Sequence, residues 1–360
     1  MSQEKKTILI LGSTIAKLIW IDQANKLAEK GYRTIFFVRN KTTHGHDSEF
    51  MKTVEIPGNL LFHWLRFFKI LSLYRPHHIE AYHDLYRWDF LLSYWVYVFL
   101  ARLFRIPIVS VCMGGEILYW KNHFFLKKWS VKTLLRASRI IIVKEPYHRD
   151  YLQRYRILGR KKIQLIELAN ATNIHADFDV KRTKNVILYL NSFKSWRHPE
   201  VVIDAFKLII KEVPDAELIM AGYRTEEELR GIEKRLDSTI HGAVRFMPYD
   251  LENRRYFPQA KVFLLPAELI YVNNALLEAM ERAVPPIIGN VDPWCGKIVD
   301  DGLNGFVVEI KAEAFAEKAI LLLKDEALRR RLGLEARKTV EESFNNDKRI
   351  EALLSIYETL

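Results

Sequence analysis

Short apolar runs alternate along the chain with amphipathic stretches. Thr7–Gly12 (TILILG) is an apolar run closed by glycine, the pattern of a strand buried on both faces. A helical period over 15–30 follows and stops at Gly31, where glycine fits a left-handed cap. Arg33–Val38 repeats the strand pattern, and the polar stretch 40–48 predicts a loop. His78–Tyr82 and residues 107–112, 139–143 and 164–169 predict further strands, with helices over 60–73, 88–104, 123–137 and 146–157 between them. The polar, aperiodic stretch 170–184 predicts a linker.

The same alternation then restarts. Strands are predicted at 186–190, 217–221, Val244–Met247, 262–265, Pro286–Gly289 and Phe306–Val308. Pro199–Glu212 is an amphipathic helix with proline at its first position. Further helices are expected over 225–237, 250–257, 273–283 and 312–323, and the charged tail 326–360 predicts two or three more. Repeated strand–helix units imply parallel sheets joined by right-handed crossovers. The expected class is therefore α/β: two Rossmann-like parallel-sheet domains, 1–172 and 173–345, with strand carboxyl ends facing a cleft. The segment 346–360 is expected to be a terminal helix that packs back on the first domain.

Composition narrows this picture. Of 360 residues, 49% are hydrophobic, enough for two full cores. The apolar run 8–11 is too short for a signal-peptide core, and the uncharged stretch 90–101 is too short to span a bilayer. Two distant cysteines, Cys112 and Cys295, predict neither a disulfide framework nor a zinc site, which fits a reducing, cytoplasmic setting. Charge is uneven. Residues 1–175 carry 28 Lys/Arg against 13 Asp/Glu, or +15, and residues 176–360 carry 27 against 31, or −4. A basic half implies an anionic partner there. Two stretches, 60–75 and 119–136, mix Trp64, Phe67, Phe68, Phe124, Phe125 and Trp129 with Arg66, Lys69, Lys127, Lys128 and Lys132. They suit peripheral contact with an anionic membrane face, although any α/β protein has amphipathic helices. No motif for nucleic acid is present.

P-loop, dinucleotide, hydrolase-elbow and zinc-protease motifs are all missing. The informative segment is 266–289, PAELIYVNNALLEAMERAVPPIIG. A strand ends at Pro266 and a helix begins near Asn273 or Asn274, where asparagine is a good cap. The first-turn N–H groups and the helix dipole favour a phosphate. Glu278 lies one turn beyond Asn274 on the same face, placed to accept hydrogen bonds from ribose hydroxyls.

This segment resembles the signature of glycosyltransferase family 4, retaining enzymes of the GT-B fold. Pro266, Asn274, Leu277, Glu278, Ala279, Met280 and Pro285 match. The first glutamate of the signature falls on Ile270, and Glu268 is its substitute if the loop is remodelled. Residues 298–308 (IVDDGLNGFVV) are similar to the family's run after that signature. In 188–197 (LYLNSFKSWR), the family's Arg and Lys that neutralise a diphosphate fall on Ser192 and Arg197, with Lys194 nearby to compensate for the lost charge.

The resemblance implies transfer of a sugar from a nucleotide-sugar to a hydroxyl of a glycan or lipid-linked acceptor, with retention of configuration. It implies no cofactor and no bound metal. It places donor contacts at Gly12, Ser13, Asn191, Ser192, Lys194, Arg197, Gly222, Tyr249, Glu268, Ile270, Asn273, Asn274, Ala275 and Glu278. Arg197 would stabilise the departing diphosphate. His83, after a strand, and Glu116, in the Gly114-Gly115-Glu116 turn, are the acceptor-side candidates for catalysis. Two alternatives stay open: a non-catalytic GT-B subunit that binds a partner, motivated by Ser192 and Ile270, and a UDP-sugar epimerase.

Overall fold

The computed structural model describes residues 6–12, 18–38, 50–55, 59–82, 88–112, 124–144, 146–159, 163–175, 178, 182–222, 224–248, 251–268, 272–290 and 298–360. Residues Met1–Ala169 with Asp347–Leu360 form one compact unit, and Asn170–Asn346 form a second.

The first unit is built on seven parallel strands: β1 (Thr7–Gly12), β2 (Arg33–Val38), β3 (Met51–Glu55), β4 (His78–Tyr82), β5 (Ile108–Cys112), β6 (Ile140–Val143) and β7 (Gln164–Glu167), ordered β3-β2-β1-β4-β5-β6-β7. The helices are α1 (Leu18–Glu29), α2 (Leu60–Tyr74), α3 (Trp88–Leu103), α4 (Phe125–Ala137) and α5 (Pro146–Arg154). Helices α2, α3 and α4 cover one face of the sheet through Phe67, Leu71, Tyr97 and Leu134. Helix α1 and the terminal helix Asn346–Glu358 cover the other through Ile21, Leu27, Ile350 and Leu353. Strand β3 has no apolar run because it is an edge strand with one neighbour, so its pattern does not mark it in sequence. Two membrane-facing candidates need correction. Phe67 is fully buried, and Trp64 is half-buried with its indole N–H on Ser93 Oγ at 3.1 Å.

The terminal helix is held by a buried polar cluster. Glu80 on β4 accepts hydrogen bonds from Tyr357 and, at 3.2 Å, from Tyr82. Arg349 donates to Gln23 Oε1 at 2.7 Å and to the Ala169 carbonyl at 3.1 Å. Burial opposes the charge on Glu80. The hydrogen bond and charge of His78, the Tyr357 bond and the charge of Arg349 outweigh it and hold the carboxyl below its usual range.

The second unit has six parallel strands: β8 (Asn185–Leu190), β9 (Ala216–Ala221), β10 (Val244–Met247), β11 (Ala260–Leu265), β12 (Pro286–Gly289) and β13 (Phe306–Val308), ordered β10-β9-β8-β11-β12-β13. Helices α6 (Pro199–Glu212), α7 (Glu226–Glu233), α8 (Asn274–Glu281), α9 (Ala312–Lys324) and α10 (Glu326–Ser343) complete it. The terminal helix Asn346–Glu358 is α11. Residues Leu251–Gln259, expected as an α-helix, form a 3-10 helix with Pro258 inside it. Proline removes an N–H donor and disfavours a continued α-ladder. The described part of 170–184 is bonded to this unit rather than loose. His175 N–H donates to buried Glu281 at 2.7 Å, Asn170 donates to the Val272 carbonyl at 2.9 Å, and Arg182 donates to the Arg282 carbonyl.

Each sheet reverses its strand order at one point, between β1 and β4 in the first and between β8 and β11 in the second. Loops leaving the carboxyl ends of such a strand pair diverge, and a crevice opens there.

Candidate functional site

In the second unit, the loops after β8 and β11 hold most of the predicted site residues. The β8 loop is fixed from below. Tyr189, fully buried on β8, donates its hydroxyl to the Ser192 carbonyl at 2.7 Å and reaches the Arg197 carbonyl at 3.5 Å. Asn191 Oδ1 accepts from the Ser192 N–H at 2.8 Å, while Asn191 Nδ2 is buried with no hydrogen-bond partner among the described residues. Gly222, at the end of β9, is pressed against this turn. A Cβ there would lie 1.7 Å from the Asn191 carbonyl oxygen, and φ is +153°, so glycine is required by space and by conformation.

A 3-10 turn, Ser195–Arg197, closes the loop. Arg197 is largely buried, and burial pushes its guanidinium below the usual arginine value. Lys194 does not act as a spare charge. Its ammonium pairs with Glu228 at 2.6 Å, and Glu228 is itself fixed in the capping box of α7 with Thr225. His198 sits in the left-handed region at φ 46°. Its Nδ1 lies 2.9 Å from Glu200 and its Nε2 3.2 Å from Glu268.

That last contact joins the two loops. The Glu268 N–H also donates to the Trp196 carbonyl at 3.1 Å. The structure therefore brings Glu268, which follows β11, to the β8 loop. Ile270 lies outside the described residues, as do Tyr249, Ser13, His83 and Glu116. Gly12 closes β1 at the order reversal of the first sheet.

Helix α8 begins as the sequence predicts. Asn273 is its cap, with Oδ1 accepting from Leu276 N–H at 3.1 Å and the carbonyl from Leu277 N–H at 3.0 Å. Among the described residues, the N–H groups of Asn274 and Ala275 are the first-turn donors that this cap does not use. Asn274 Oδ1 is buried without a hydrogen-bond partner among the described residues. Glu278, one turn on, is half-buried and accepts from Arg254 Nε at 2.8 Å. Sequence reasoning missed Arg254. It lies in the 3-10 helix before β11, 24 residues from Glu278, and no local spacing links them. Buried Glu281 belongs to a different cluster, with His175, Arg282 and Arg337, that fastens 170–184 and α10 to α8.

The site thus combines a desolvated cation, a helix start, unsatisfied amides and an oriented carboxylate at one reversal point of a parallel sheet. Residues 170–339 match the family described as Glycosyl transferases group 1. The chain is 28% identical over 191 residues to N-acetyl-alpha-D-glucosaminyl L-malate synthase of Bacillus anthracis, covering 52% of this chain and 48% of that protein. It is 30% identical over 159 residues to the capsular polysaccharide biosynthesis glycosyltransferase CapM of Staphylococcus aureus, covering 44% and 42%. The matches span about half the length of these curated relatives. In structure, it is similar to sucrose-phosphate synthase from Thermosynechococcus elongatus, with TM-score 0.77, 18% identity and 98% of each chain covered. It is also similar to Anabaena Alr3699/HepE in complex with UDP and glucose, with TM-score 0.78, 13% identity, and 99% and 100% covered. At these identities the structural likeness speaks for the fold. The chain has the GT-B fold, two Rossmann-like parallel-sheet units, and the match to glycosyl transferases group 1 falls on the second of them.

Proposed function

We propose that the second unit binds a nucleotide-sugar, a UDP-sugar first among the candidates, and that the chain transfers the sugar to a hydroxyl acceptor with retention of configuration. The observation that carries this reading is the grouping at the β8/β11 reversal. Arg197 and the start of α8 supply positive potential for a diphosphate, and Glu278 supplies an acceptor for ribose hydroxyls one helical turn away. The buried amide atoms Asn191 Nδ2 and Asn274 Oδ1 have hydrogen-bonding capacity left unmet among the described residues, which favours a polar ligand. The UDP in the Alr3699/HepE complex supports the choice of base.

In this reading, negative charge grows on the β-phosphate as the glycosidic bond breaks. A largely desolvated guanidinium gains most from that change, because it has little hydration left to lose as the charge develops. Arg197 therefore acts on leaving-group departure. Arg254 acts through Glu278, fixing one carboxylate oxygen so that the group is already oriented when ribose arrives. The acceptor is a glycan or lipid-linked hydroxyl, to which His83 and Glu116 remain the candidate contacts.

One observation favours a second reading, a subunit that binds the donor without turning it over. With Ser192 in place of an arginine and Lys194 paired to Glu228, Arg197 is left as the main cation on the diphosphate. A thermal-shift and calorimetric screen against UDP-, GDP- and dTDP-sugars tests both, followed by a product assay with a mixed acceptor pool. A tight UDP-sugar complex with transfer supports the enzyme. Binding without release of UDP supports the second reading, and no nucleotide-sugar binding at all refutes both.

A further inference from the structure

The first unit carries a surface feature that donor chemistry does not use. Of the fifteen large apolar side chains exposed among the described residues, eleven lie on α2, α3 and α4 or at the cap of α4. These three helices pack side by side on one face of the sheet, and their inner sides are already filled by the core. The exposed residues are therefore on the outside of a finished layer. Phe62 is 62% exposed, Phe99 66% and Phe125 65%. Exposed apolar groups scattered singly are ordinary, but a contiguous set on adjoining helices marks an interaction surface.

Basic residues share the same stripes. On α2, Phe62, Arg66, Lys69 and Leu73 follow at intervals of four, three and four, which places them on one helical face. On α4, Phe125, Trp129, Lys132 and Arg136 repeat the spacing. On α3, Arg102 and Leu103 follow Phe99 by three and four. Residues 59–75 contain three basic side chains and residues 124–139 contain five, and neither stretch has an acidic one.

We propose that this outer face of α2, α3 and α4 docks on an anionic lipid bilayer, with the phenylalanines and Trp129 in the headgroup boundary and the lysines and arginines on lipid phosphates. The charge decides between occupants. A second copy of the same face would bring like charges together across α2 and α4, whose stretches 59–75 and 124–139 have no acids to pair them. An anionic bilayer offers opposite charge and an apolar interior in the same plane, which is what a mixed apolar and basic stripe requires. The inference stands apart from the donor reading, because vesicle binding needs no nucleotide.

The test is co-sedimentation of the full chain with vesicles of phosphatidylcholine alone and of phosphatidylcholine mixed with phosphatidylglycerol, at low and high salt. The chain is expected to pellet with the anionic vesicles at low salt, to be released as salt rises, and to stay in solution with the neutral ones. Phe62→Ser with Phe125→Ser should abolish pelleting. Lys69→Gln with Lys132→Gln should weaken partition by about fivefold per charge. Circular dichroism on each variant shows that the fold is kept. Three results overturn the proposal: a chain that stays in solution with both vesicles, binding that is equal for both and indifferent to Lys69→Gln, or a dimer in sedimentation velocity that Phe62→Ser dissolves.

Discussion

Replacing Glu278 by alanine is expected to weaken nucleotide-sugar binding by about 30-fold to several-hundred-fold. Two charge-assisted hydrogen bonds to ribose are worth about 2–4 kcal/mol together, and each 1.4 kcal/mol is about tenfold in affinity. The structure adds a second effect of the same substitution. Glu278 is the counter-ion of Arg254, with side chains 16% and 28% exposed. A pair at that depth lies between a surface ion pair, worth at most about 1 kcal/mol, and a buried one, whose breakage costs about 3–5 kcal/mol. Loss of Glu278 should thus cost about 1–2 kcal/mol of stability as well, a fall of roughly 2–8 °C in Tm for a unit of this size. Arg254→Met separates the two effects. It should lower Tm by a similar amount yet weaken binding less than tenfold, because the carboxylate remains and loses only its orientation. Calorimetry with the best donor from the screen, beside thermal unfolding without ligand, measures both. If both variants lose the same Tm and neither loses affinity, Glu278 is only the partner of Arg254 and the ribose assignment is wrong.

Arg197→Ala should lower single-turnover transfer by about a hundredfold or more while changing donor affinity much less, since its charge matters most as the diphosphate leaves; normal turnover would move that role elsewhere. Gly222→Ala should cost about 2 kcal/mol or more and abolish donor binding, because the added methyl would have to displace the Asn191 carbonyl, and an unchanged melting curve would contradict the packing described. Glu80 is held below the usual carboxylate range, so its contribution to stability is complete above that range and is lost as pH falls toward the lower folded value. Chemical denaturation from pH 7 down to pH 3 should show this acid-side loss, and Glu80→Gln should flatten it; an equal slope in the variant would place the titrating group elsewhere.

Much of the fold was legible because both sheets are parallel and covered. Strands such as Thr7–Gly12 and Ile140–Val143 are buried along their whole length, so their sequences are nearly all apolar and bounded by turns. Met51–Glu55 escaped because an edge strand buries only part of its length, and MKTVE carries no such run. The helix expected over 250–257 is a 3-10 helix over Leu251–Gln259, since so short a stretch cannot separate a repeat of 3.0 from one of 3.6. The division of the α2 aromatics between core and surface is illegible for a related reason. In α2, where both faces are apolar, sequence alone does not tell which is core, and Phe67 proved to be inside while Phe62 and Leu65 are outside.

At the candidate site, what was legible is what is local. The cap at Asn273 and the one-turn step from Asn274 to Glu278 are properties of six consecutive residues, and they fold as read. The fate of the cations was not local. Lys194 and Arg197 stand three apart in one loop, and nothing in the spacing says which of them pairs with a neighbouring helix. Tyr189 helps decide it. By donating to the Ser192 carbonyl, with the Arg197 carbonyl at 3.5 Å, it holds the loop in a turn whose Lys194 reaches Glu228 on α7 and whose Arg197 is largely desolvated. Glu228 is fixed there because it also serves the α7 capping box, a second, independent task. The loop's electrostatics are thus set by a tyrosine under it and by the cap of a helix that comes after the next strand. The relation between these positions is created by strand order, which brings β9 beside β8. It follows that the missing arginine at Ser192 is not repaired by its nearest basic neighbour, and that the donor chemistry proposed for this unit leans on Arg197 and the start of α8.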